Sequence, residues 1–194
     1  MANSLTFEII LQFLIIAPEI VKKRLDLLLK NSFIEEDFVM DRSTSDEFLV
    51  RHFGNDRLFY FDLKTNTFEM KNISTVQQVH FAYTAMKNFF NCDDYKSIMK
   101  LQLIKVHGHY PKSVDLKKFQ SLCHPYYCVK KPSFLFLVIN VDQKSEVCFY
   151  LYESGKFTTE GKFSPSDLVE AFHVLKHLYF LYEEQLDEFS YIIT

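Results

Sequence analysis

Residues 48–90 of this chain recur, ungapped, 89 positions further on. Phe48-Leu49-Val50 falls on Leu137-Val138-Ile139, Leu58 on Val147, Tyr60 on Phe149, Phe61 on Tyr150 and Phe68 on Phe157. The correspondence continues with Thr75 on Ser164, Val79 on Leu168, Ala82 on Ala171, Tyr83 on Phe172, Met86 on Leu175, Lys87 on Lys176 and Phe90 on Tyr179. Identities are few, but the apolar positions coincide. Solenoid units are shorter, roughly 20–50 residues, and more numerous. Two long copies instead predict a pseudo-twofold protein with halves at 1–91 and 92–194. No Pro-, Gly- or Ser-rich tract separates the halves, so one continuous domain with a shared sheet is expected.

Each half reads as strand, helix, a meander of three or more strands, helix. In the first, Leu5 to Ile16 has the apolar density of a strand, and Pro18 opens a helix to Lys30 without forfeiting an amide donor. A polar loop is expected over Glu35 to Glu47. Strands follow at 48–52, 58–63 and 68–70, joined by Gly54-Asn55-Asp56 and Lys64-Thr65-Asn66, which have hairpin-turn chemistry. Thr75 with Gln78 has the form of a capping box, and Val79, Tyr83, Met86 and Phe90 then fall on one helical face. In the second half the order is a strand over 98–106, a helix over 112–122, strands over 134–141, 146–153 and 156–159, and a long helix capped by Ser164 with Pro165 in its first turn. The class is α+β, with helices on one face of a wide antiparallel sheet.

With 48% hydrophobic and 24% charged residues, the chain can build a core and disorder is not expected. Cys92, Cys123, Cys128 and Cys148 are too few and irregular for a disulfide scaffold, so reduced thiols are expected. The apolar start contains Glu8 and Gln12 and lacks a preceding cation, unlike a signal peptide, and no run reaches the roughly 18 apolar residues that span a bilayer. An intracellular protein with no membrane partner follows. The net charge is −3, with 10 basic and 12 acidic residues up to Phe90, so neither half carries the basic surplus usual for a phosphate-binding surface.

Signals for chemistry are sparse. Cys123, His124 and Cys128 with His107 and His109 are soft ligands, but their spacing matches no standard zinc knuckle. Glu170, His173 and His177 share a helical face and read as solvated. There is no glycine-rich phosphate loop and no nucleophile motif, so neither an enzyme, a cofactor, a metal nor a small-molecule substrate is expected.

The order of elements, the repeat and the phrase Phe149-Tyr-Leu-Tyr-Glu-Ser-Gly-Lys-Phe-Thr-Thr-Glu-Gly-Lys162 together resemble the core domain of the TATA-binding protein (TBP) family. The phrase has that family's apolar strand, Ser-Gly-Lys turn, second strand and helix approach; the first half matches less well, with Thr65-Asn66-Thr67 in the turn. The resemblance spans residues 5–185. It implies a saddle of two β-α-β(3-4)-α repeats, one curved antiparallel sheet with helices on the convex face, and a concave face that bends A·T-rich DNA from the minor groove with apolar wedges. Carried over, the wedges fall at Tyr152 with Leu135 or Phe134, and at Leu63 with Asp46 or Phe48. Of these, Asp46 has the wrong chemistry for a wedge. Other DNA-facing positions fall at Phe7, Lys71, Thr159 and Lys100 or Leu101, where Phe7 and Leu101 lack the hydrogen bonds of the family's central Asn residues. Glu160 replaces a Thr and opposes phosphate charge.

The resemblance further implies a transcription-initiation factor, nuclear or wherever transcription occurs, that recruits general transcription factors. Lys22-Lys23-Arg24, Lys117-Lys118 and Glu183-Glu184 are the expected partner-binding charges. The missing Asn pair and near-neutral charge keep a second reading open, a protein-interaction module of the same fold that has lost DNA binding.

Overall fold

The computed structural model describes residues 5–30, 38–52, 56–75, 78–92, 94–141 and 145–192. Its strands are β1 (Thr6–Ile15), β2 (Phe38–Ser43), β3 (Glu47–His52), β4 (Arg57–Asp62), β5 (Thr67–Ile73), β6 (Met99–His109), β7 (Tyr127–Lys130), β8 (Leu135–Asn140), β9 (Glu146–Leu151) and β10 (Lys156–Gly161). The α-helices are α1 (Pro18–Lys30), α2 (Gln78–Phe90), α3 (Leu116–Leu122) and α4 (Pro165–Ile192). The ten strands form one sheet in the order β2-β3-β4-β5-β1-β6-β10-β9-β8-β7. Outward from the middle, both directions give the first strand of a half, then its fifth, fourth, third and second. The α+β class and the twofold plan therefore follow from the hydrogen-bonding order itself.

Two compact units divide the chain: Glu8–Lys105, and the described residues of Met1–Phe7 with those of Val106–Thr194. Strand β6 contributes Met99–Lys105 to the first unit and Val106–His109 to the second.

In the first unit, alternation puts Ile9, Leu11, Phe13, Phe48, Val50, Phe59, Phe61, Phe68 and Met70 on a buried face. Helix α1 packs on β2, and α2 on β5. Phe61 stacks on Phe68 at 4.6 Å and on Phe89 of α2 at 5.3 Å, and Phe59 stacks on the same two rings at 5.7 and 5.8 Å. Half-buried Arg24 borders this core: its Nε donates to the Phe89 carbonyl at 2.6 Å with the guanidinium over the Phe89 ring. In the second unit, Leu135, Leu137, Val147, Phe149, Leu151 and Phe157 face α4, whose Leu168, Phe172, Leu175, Tyr179 and Tyr182 are buried. Helix α3 packs on α4 and β7.

The expected polar loop over 35–47 contains strand β2; residues 35–37 lie outside the described set, as do Gly54 and Asn55 of the first turn. β7 is likewise a strand where none was assigned, so both meanders have four strands. Both are short strands at the edges of the sheet, of six and four residues, too short for alternation to read well. Helix α3 begins at Leu116 rather than Lys112, because the Asp115 carboxylate accepts from the amides of Lys117 and Lys118 at 2.9 and 3.2 Å and caps it there. In the 64–66 turn, Asn66 takes φ 52°, which Asn tolerates better than most residues.

The repeat also needs a correction. Phe48 and Leu137 are both buried, and their cross-strand partners are Phe61 and Phe149, which lie 88 positions apart. Phe68 and Phe157 are both buried, and their partners are Phe61 and Leu151, 90 apart. The ungapped 89-residue shift lands between them, so it sets Phe61 of the core on half-exposed Tyr150, and half-exposed Tyr60 on buried Phe149. Because side chains alternate faces, hairpin connections that differ by one residue invert the match in β4 and β9 while leaving the flanking strands aligned.

The start of α4 is a reciprocal cap. The Asp167 amide donates to Ser164 Oγ at 3.2 Å and the Ser164 amide donates to Asp167 Oδ2 at 2.8 Å. Ser164→Ala is expected to cost about 1 kcal/mol, read as a lower urea midpoint at unchanged slope. An unchanged midpoint would show that the cap does not hold the helix.

Candidate nucleic-acid interface

Among the described residues, the helices pack on one face of each unit's strands and leave the other without helical cover. In the second unit that open face is aromatic. Phe134 and Phe136 are two apart on and beside β8, Tyr150 and Tyr152 are two apart on and beside β9, and all four are half-buried. Cross-strand pairing sets Phe136 opposite Tyr150 and Leu135 opposite Leu151, which places Phe134 beside Tyr152. The ring centroids are 5.3 Å apart for Phe136 and Tyr150, 5.5 Å for Phe134 and Tyr150, and 6.2 Å for Phe134 and Tyr152.

Two tight turns hold the ends of this cluster. The Lys131 amide donates to the Phe134 carbonyl at 2.8 Å, and the Tyr152 amide to the Lys156 carbonyl at 2.9 Å. In the second turn Gly155 takes φ 83°, donates to the Tyr152 carbonyl at 2.9 Å and accepts from the Tyr110 amide at 2.8 Å. The Ser-Gly-Lys phrase thus folds as a turn that orients Tyr152.

The first unit's open face is charged. Tyr60 sits between Leu49 on β3 and Glu69 on β5 in the ladder, and burial, then the Glu47 and Asp62 carboxylates, raise its phenol pKa. Asp62 lies opposite Glu47. Its carboxylate accepts from Thr65 Oγ1 at 2.7 Å and from the amides of Lys64 and Thr65, and the Thr65 hydroxyl foremost holds it below the usual carboxylate range. Lys71 and Lys105 both reach Glu69, at 3.2 and 3.4 Å, and Lys71 lies over the Tyr60 ring at 5.3 Å.

Several expected site residues lie elsewhere. Phe48 and Leu135 are 4% and 0% exposed on the helix-covered side and cannot act as wedges; Phe134, the alternative to Leu135, is the open-face residue. Thr159 is 2% exposed on that covered side. The Phe7 ring packs on Phe172 of α4 at 4.6 Å, again away from the open face. Leu101 is half-buried and in step with Lys105, while Lys100 is exposed. Leu63 is half-exposed, with its amide donating to the Asp46 carbonyl at 2.8 Å. Lys22 and Lys23 on α1, Lys117 and Lys118 on α3 and Glu184 on α4 are exposed. Arg24 is half-buried against Phe89, and Glu183 is half-buried, accepting from the Tyr110 hydroxyl at 2.7 Å and pairing with Lys112 at 3.5 Å. Phe136 and Tyr150 were not singled out from sequence, although each lies two residues from a residue that was.

No family model matches the chain, and no curated protein does. Among solved structures, the TBP of Methanococcus jannaschii is similar over 91% of this chain and 98% of that one, at 12% identity and a TM-score of 0.40. The fold assignment rests on the strand order above. Among the described residues, no helix is long and apolar enough to cross a membrane, and no three His, Cys, Asp or Glu side chains gather at metal-binding distance.

Proposed function

We propose that the chain is a TBP-like factor of transcription initiation that binds and bends A·T-rich promoter DNA from the minor groove, through the open face of its sheet. The carrying observation is the Phe134 and Tyr152 pair, two half-exposed rings 6.2 Å apart at one end of an aromatic strip. A wedge must replace lost base stacking with its own contacts, and aromatic faces do this for any base. The function needs no covalent chemistry, only binding energy sufficient to offset a bend that costs on the order of 1–6 kcal/mol. Exposed Lys22, Lys23, Lys117, Lys118 and Glu184 are the charges available to recruit further factors, in the nucleus or wherever the promoter is transcribed.

The carboxylates around Tyr60 favour a second reading, an interaction module of the same fold without DNA. End-to-end energy transfer in a labelled A·T-rich duplex, against a G·C-rich control and over a salt series, decides between them. Salt-sensitive bending of the A·T-rich duplex is expected. No bending at low salt by folded protein would leave the interaction module.

A further inference from the structure

We infer that the DNA is kinked from the second unit alone, at one base step rather than two. This rests on the DNA-binding reading above and concerns how that site is used.

The two halves end their corresponding hairpins alike. The Lys131 amide donates to the Phe134 carbonyl at 2.8 Å, and the Thr44 amide to the Glu47 carbonyl at 2.8 Å. The shared turn makes Glu47 the counterpart of Phe134 and Thr44 the counterpart of Lys131. Across the ladder, Phe134 lies beside Tyr152 and Glu47 lies opposite Asp62. Where the second unit offers two rings, the first therefore offers two carboxylates. Asp62 cannot be recruited to a neutral role cheaply, since three hydrogen bonds to its ionised form build the following turn.

The cations divide the same way. Lys131 and Lys156 flank the ring pair, are exposed, and have no carboxylate within ion-pairing distance among the described residues. Each is free to take a phosphate and release its counterion. On the first unit's open face, Lys71 and Lys105 are shared with Glu69. A phosphate approaching that end of the hairpin meets exposed Glu47 opposite Asp62, and like charges oppose its entry. Ring insertion, cation supply and charge repulsion all assign the kink to the Phe134–Tyr152 end.

The test uses the full chain and an A·T-rich duplex in which a fluorescent adenine analogue, bright when unstacked, is walked through successive steps. Wild type is expected to brighten one step only. Lys131→Ala and Lys156→Ala are each expected to lower the slope of log affinity against log salt by about one, whereas Glu47→Gln leaves both the slope and the bright step unchanged. Two bright steps would overturn the one-sided kink while sparing the DNA-binding reading. A failure to bind with any preference for A·T-rich DNA would overturn both.

Discussion

Phe134→Ala combined with Tyr152→Ala is expected to abolish bending of A·T-rich DNA and to weaken binding at least roughly 30-fold. Stacking a base on an aromatic ring is worth about 1–3 kcal/mol, and two rings are lost. The fold should survive, because both rings are half-buried on the face opposite the helices and make no contact with the buried Phe149–Phe157–Phe172 cluster. A stability loss of about 1 kcal/mol is expected from the lost ring contacts of Phe134 with Tyr150 and with Tyr152. Energy transfer reads the bend, and urea unfolding reads the fold. A double variant that still bends DNA would remove the aromatic strip from the mechanism.

The largest effect on stability is expected at Gly155→Ala. Gly155 has φ 83°, a region that costs other residues roughly 1–2 kcal/mol, and an added Cβ would lie 2.2 Å from the Tyr110 carbonyl oxygen and 2.5 Å from that of Lys112. Both obstacles are backbone, so neither can rotate away. A loss of at least about 3 kcal/mol is expected, together with displacement of the turn that carries Tyr152 and Lys156. Gly161→Ala provides the comparison, since its Cβ would meet only the Phe163 ring at 2.9 Å, without a positive φ. Equal urea midpoints for the two variants would show that the Gly155 turn tolerates a side chain.

Much of this architecture was legible in the sequence where packing imposes a period. Pro18, Ser164 and the apolar stripes announce α1, α2 and α4 because a buried helical face must repeat every three or four residues. The open face was harder to read. Phe48 and Phe134 are the same residue type at the starts of corresponding strands, and only the strand register shows that the first is buried and the second half-buried on the open face. The same one-residue ambiguity separated Leu135 from Phe134 as the wedge. Glu47 and Asp62 were invisible as a pair because their proximity arises across a hairpin, not along the chain. Arg24 is expected from sequence among the partner-binding charges, and only the end of α2 supplies the carbonyl and the ring that hold it.

The division of β6 between units has a consequence for synthesis. A chain emerging in order completes the first unit only after Lys105, since β1 lies between β5 and β6 in the sheet. A nascent chain that ends before β6 would therefore leave the β1 edge unpaired, a template for unwanted strand addition. At the other extreme, Phe7 meets its partner ring only when Phe172 has been made. The boundary between the two units, after Lys105, therefore does not coincide with the boundary between the two sequence repeats.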